Sequence, residues 1–118
     1  MSKSQDHFKG LNDMASIVHK NAELHGWWSE PRSFGDIIAL CHSELSEALE
    51  EHRAGNSPLV TYLKGPDAKP EGIPTELADC IIRIMDYCAH TGIDLEAAMT
   101  RKHLYNVSRP YRHGGKKL

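Results

Sequence analysis

Apolar residues in this chain recur in steps of three and four rather than two, which commits it to amphipathic helices. Phe8, Leu11, Met14, Ala15, Val18 and Ala22 carry that rhythm from about Asp6 to Leu24, where His25-Gly26 stops it. A connection, Trp27-Trp28-Ser29-Glu30-Pro31-Arg32, leads to Ser33, a good N-cap because Asp36 three residues on resembles a capping box. The second helix carries Phe34, Ile37, Ile38, Cys41, Leu45, Ala48 and Leu49 and runs out near Ala54-Gly55-Asn56. Pro74-Thr75 opens a third, holding Leu77, Ile81, Ile82, Ile84, Met85 and Cys88, and Gly92 ends it. Asp94 can cap a fourth, Leu95 to about Val107. Between the second and third helices lies a long polar segment, Ser57 to Gly72, of a kind that is uncommon in compact domains and often functional or mobile. Apart from the weak Leu59-Val60-Thr61-Tyr62, no alternating strand pattern of useful length appears. The expected fold class is all-α, a bundle of the four-helix type.

With 118 residues the chain fits a single domain, residues 1–118, with a long loop at about 55–73 and a basic tail at about 108–118. Four short helices give a thin core, so a homodimer or a dimer-based tetramer is expected. No apolar run approaches the roughly 20 residues that span a bilayer. The N-terminal Met1-Ser2-Lys3-Ser4-Gln5-Asp6 lacks the charged-then-apolar order of a secretory signal, so a cytoplasmic location is expected. Three cysteines, none in a Cys-x-x-Cys pair and all in apolar stretches, read as buried free thiols. The eight histidines include no His-x-x-x-His helix pair of the zinc-binding kind.

Charge is divided unevenly along the chain. Residues 1–96 hold all 16 acids against 8 Lys/Arg, a sum of −8, and residues 97–118 hold 6 Lys/Arg and no acid, giving the overall −2. An acidic body argues against a nucleic-acid binder, because it repels phosphate backbones. A basic end on such a body fits an anionic partner bridged by a cation.

The acids of the second helix are misplaced for a solvated surface. At about 100° per residue, Glu44 falls between Ile37 and Leu40, inside the apolar arc, with Glu47 and Glu51 along its edge. On the third helix, Glu76 and Asp79 flank the stripe of Leu77, Ile81, Ile84 and Cys88. Residues three apart on a helix share a side, so Glu44-x-x-Glu47 and Glu76-x-x-Asp79 each aim two carboxylates at one region. Four such groups meeting in a core repel one another and lose hydration unless a cation joins them. Mg²⁺ is the natural choice, since it takes hard oxygen ligands and keeps positions open for water and phosphate; Mn²⁺ is a candidate substitute. A di-iron bundle would require Glu-x-x-His pairs, which are absent from the sequence.

In their surroundings these pairs resemble the MazG-like branch of the all-α NTP pyrophosphohydrolase superfamily. The matching text is His42-Ser43-Glu44-Leu45-Ser46-Glu47-Ala48-Leu49-Glu50-Glu51, then Glu76-Leu77-Ala78-Asp79, then Lys102-His103-Leu104-Tyr105-Asn106, preceded by Gly92-Ile93-Asp94. The resemblance covers roughly Trp27 to Arg112 and implies hydrolysis of a nucleoside triphosphate to a monophosphate and pyrophosphate. It implies Mg²⁺ held by Glu44, Glu47, Glu76 and Asp79, with one of the four also orienting or deprotonating the attacking water. Lys102 and Asn106, i and i+4 on the last helix, suit phosphate and sugar contacts; Arg109 and Arg112 are further phosphate candidates, and Trp28 is a candidate for stacking on the base. A dUTPase, a dCTP pyrophosphatase or a phosphoribosyl-ATP pyrophosphohydrolase would use the same carboxylates. A non-catalytic helical module that docks a basic partner is the alternative from another class.

Overall fold

The computed structural model describes residues 8–111. Four helices dominate it: α1 (Leu11–Leu24), α2 (Phe34–Arg53), α3 (Ile73–Thr91) and α4 (Leu95–Ser108). The mostly helical character expected from periodicity is present. None of the described helices is long and apolar enough to cross a membrane.

Three helix starts follow from side chains and backbone that were legible in advance. The Ser33 hydroxyl accepts the Asp36 amide at 3.0 Å, and the Asp94 carboxylate accepts that of Ala97 at 3.0 Å. Pro74 stands in the first turn of α3, where its missing N–H costs nothing. The start of α1 differs from the expected Asp6. Gly10 takes a left-handed φ of 83° directly before Leu11, and Phe8 instead gives its amide to the Thr100 hydroxyl at 3.2 Å. Asp6, like the basic residues Arg112, Lys116 and Lys117, lies outside the described residues.

The segment read as loop contains an antiparallel hairpin, β1 (Tyr62–Lys64) paired with β2 (Lys69–Glu71), in the register Tyr62 to Glu71 and Lys64 to Lys69. Strands of three residues are too short to show alternation, and Pro70 argues against a ladder in sequence terms. Tertiary contacts hold the hairpin instead. Tyr62 donates its hydroxyl to Glu51 at 2.6 Å, and Asn56 donates to the other oxygen of that carboxylate at 2.6 Å. That acceptor pushes the Tyr62 phenol up to about 12. At the far end Gly72, with φ 123°, passes so close to Val60 that a Cβ would lie 2.4 Å from its carbonyl oxygen.

Helix α3 is the centre of the molecule, with α2 and α1 packed along it, while α4 rests on α1. The α1–α4 joint is polar. The Asn12 side-chain oxygen accepts the amides of Leu95 and Glu96 at 3.0 and 3.2 Å, and its NH₂ donates to Asp94 at 2.9 Å. Between them, Asn12 and Asp94 satisfy three of the orphan donors at the start of α4.

The core consists mostly of small or flexible residues, Ala15, Cys41, Ala48, Cys80, Met85 and Cys88, with the β-branched Ile37 among them. All three cysteines are buried and free. Among the described residues, no large side chain is completely removed from water. Ile38, Leu45 and Leu49 form one exposed stripe on α2, within about 40° of arc. Leu77, Ile81 and Ile84 form another on α3, within about 60°, although periodicity alone assigns them to the interior.

Candidate metal centre

The inward face of α2 is Ile37, Cys41, Glu44 and Ala48, all within about 60° of arc. Glu44 therefore occupies a core position, and it is only 8% exposed. Helix α3 meets it with a polar stripe. Glu76, Asp79, Arg83 and Asp86 follow one another in steps of three and four, so they share a side within about 80°. Glu76 stands in the first turn, where the helix N-terminus favours negative charge, and it is 4% exposed.

These acids share one cavity of about 800 Å³, which Glu44, Glu47, Glu76 and Asp79 all line. Oxygens of Glu44, Glu47 and Glu76 lie within 4.8 Å of one another. Asp79 stands outside that trio on the same wall. Glu76 Oε2 is buried with no hydrogen-bond partner. Glu50 points away and pairs with Arg53 at the surface.

Burial, together with the nearby Glu47 carboxylate, pushes the Glu76 carboxyl up to about 8. Burial also raises Asp79, aided by the charge of Glu44 and opposed by Arg83. Without a cation the cluster relieves its repulsion by holding a proton, as close carboxylates do. The donor set is all hard oxygen, and one oxygen is orphaned in the interior. That combination fits a divalent cation such as Mg²⁺ or Mn²⁺.

Two full cations reach the cavity beside the imidazole of His25, and neither cation was singled out from the sequence. Arg83 donates from Nε to Glu44 Oε1 at 2.9 Å. Lys69, carried by β2, lines the mouth and lies 3.4 Å from Glu71. Asp86 is buried and lines the same cavity; its Oδ1 accepts Trp28 Nε1 at 2.9 Å and lies 2.7 Å from His19 Nδ1. Spacing alone could have flagged Arg83 and Asp86, which continue the Glu76–Asp79 stripe by four and three residues. Lys69 had no such signal, because its position depends on the hairpin.

The opposite wall comes from α1 and is partly apolar, including Val18 and Ala22, with Trp27 beside it. The tryptophan on this wall is Trp27. Trp28 is turned to Asp86 and stacks on His90, with ring centroids 3.7 Å apart. Lys102, Asn106 and Arg109 do not line the cavity. Lys102 and Arg109 lie over the Tyr105 ring at 4.8 and 5.7 Å from its centroid, and Lys102 and Asn106 are exposed on α4. Within one chain, therefore, the helix pairs meet at one cavity, and the last-helix residues stand apart from it.

The chain matches no family model, no curated protein and no solved structure.

Proposed function

We propose that this chain is a Mg²⁺-dependent nucleoside triphosphate pyrophosphohydrolase with the MazG-like all-α fold, converting (d)NTP and water to (d)NMP and pyrophosphate. The observation that carries the reading is the meeting of Glu44, Glu47 and Glu76 in a cavity shared with Asp79, with Glu76 Oε2 buried and unpartnered. A solvated charge pattern has no reason to bury an orphaned carboxylate oxygen, because doing so costs about 1–3 kcal/mol or more.

Glu44, Glu47, Glu76 and Asp79 would hold the ion, which supplies charge neutralisation for the phosphates and lowers the pKa of water. The protein's own contribution is positioning. Two helices fix Glu44 and Glu76 at core positions, with the exposed Glu47 and half-buried Asp79 beside them, so little rearrangement is needed when substrate arrives. One carboxylate of the four takes the proton of the attacking water as pyrophosphate leaves. The partly apolar α1 wall offers a surface for the nucleoside.

The exposed stripes on α2 and α3 support a homodimer, alone or paired into a tetramer, since a second copy would cover them. Such an assembly is also a route by which Lys102, Asn106 and Arg109 of one copy could approach the carboxylates of another.

A panel of ribo- and deoxynucleoside triphosphates, assayed for pyrophosphate release with and without Mg²⁺, tests the reading. It is run beside Glu44→Gln and Asp79→Asn. The expected result is metal-dependent release that both substitutions reduce by about a hundredfold or more. The panel also separates a general enzyme from one specific for dUTP, dCTP or phosphoribosyl-ATP. Activity that survives both substitutions, or that ignores Mg²⁺, overturns the assignment.

A further inference from the structure

We propose that Arg83 is a phosphate-binding residue of this cavity, paired with Glu44 while the carboxylates lack a cation and given over to the nucleotide's phosphates once they hold one. The proposal rests on the reading above and adds to it a residue and an order of events.

Arg83 is the only guanidinium on the cavity wall among the described residues. It spends one of its five donors on the protein, Nε on Glu44 Oε1 at 2.9 Å. Its terminal NH₂ groups make no hydrogen bond among the described residues, and the side chain keeps 30% of its exposure. The guanidinium carbon lies 5.2 Å from the Trp27 ring centroid, which steadies the plane without consuming a donor. A flat group with unspent paired donors matches two phosphate oxygens at once, as a lysine cannot. Lys69, the other cation here, sits in the hairpin 3.4 Å from Glu71 and offers a point charge without a planar fork.

Charge supplies the switching. The cavity wall carries five acids, Glu44, Glu47, Glu76, Asp79 and Asp86, against two full cations, Lys69 and Arg83, and the imidazole of His25. A triphosphate is repelled by that surplus. A divalent cation removes the surplus and draws on the Glu44 charge, which weakens the hold of Glu44 on Arg83. The same event that admits the nucleotide thereby frees the group that binds it, so metal and nucleotide bind cooperatively through Arg83.

The test separates metal binding from nucleotide binding in wild type, Arg83→Gln and Arg83→Lys. Mn²⁺ affinity without nucleotide is measured by titration calorimetry. Affinity for a nucleotide with a methylene bridge between its α- and β-phosphates is then measured at saturating Mn²⁺. Arg83→Gln is expected to bind Mn²⁺ as tightly as wild type or more tightly, because a competing cation has gone. Its affinity for the analogue falls by roughly ten- to a hundredfold, the equivalent of one or two charge-assisted hydrogen bonds. Arg83→Lys recovers part of that loss, and in turnover the change appears in KM more than in kcat. Equal analogue affinity in wild type and both variants overturns the proposal while leaving the pyrophosphohydrolase reading intact. Loss of Mn²⁺ and analogue binding together in both variants also overturns it, since Arg83 would then only support Glu44. A wild type that binds neither Mn²⁺ nor analogue overturns the parent reading, and this one with it.

Discussion

Replacing Glu76 by Gln should stabilise the metal-free protein at alkaline pH and lose that advantage at acid pH. The carboxyl is 4% exposed and has its pKa raised from 4.5 to about 8 by burial and by Glu47. A group whose pKa is raised on folding binds its proton more tightly in the folded state. Below pH 4.5 both states are protonated and no penalty exists; above it the unfolded chain releases its proton and the folded one does not, so stability falls until about pH 8. At about 1.4 kcal/mol per pKa unit the ceiling is about 5 kcal/mol, and local relaxation leaves about 2–3 kcal/mol of it. Asp79, raised in the same direction, adds to the trend. Urea unfolding in EDTA at about pH 5 and about pH 8.5 measures it, with an expected drop in the wild-type midpoint of about 1–2 M. Glu76→Gln should lose much of that slope. Mg²⁺ should remove it in wild type, adding about 2.7 kcal/mol at a hundred times its Kd and releasing protons as it binds. A wild-type midpoint that stays level or rises between the two pH values, or a Glu76→Gln slope equal to wild type, refutes the buried-carboxylate argument.

Gly72→Ala places a Cβ 2.4 Å from the Val60 carbonyl oxygen at a φ of 123°. It should cost about 3 kcal/mol, with a Tm lower by about 10 °C or more; an unchanged Tm would show that the hairpin can shift freely. Asn12→Ala removes the acceptor for two amides of α4 and a donor to Asp94. The expected loss is about 1–2 kcal/mol, with faster amide exchange at the start of α4 and none at the centre of α3. Leu45→Asp combined with Leu77→Asp should yield monomers in sedimentation at concentrations where wild type is dimeric. A monomeric wild type would remove the reason given for the exposed stripes.

Local chemistry settled the helices, and it is short-ranged enough to be read residue by residue. Ser33 and Asp94 cap because a hydroxyl or carboxylate there meets amides two or three residues on, and Gly92 ends α3 because it takes a left-handed φ of 82°. Periodicity likewise located Glu44 on the buried arc of α2 and gave each carboxylate pair a common side. It could not decide what lay opposite each face. Leu77, Ile81 and Ile84 look like core and are exposed, because burial depends on which neighbour a stripe finds, and the described residues supply none there. The same limit explains Lys69, Trp27 and Glu51. The first reaches the carboxylates through a hairpin of three-residue strands, the second through the turn between α1 and α2, and the third anchors Tyr62 across a loop. Spacing along a helix fixes direction about its axis; distance between helices is set by packing among residues far apart in sequence. Only the folded chain could bring Glu44, Glu47 and Glu76 within 4.8 Å and set Arg83 against them.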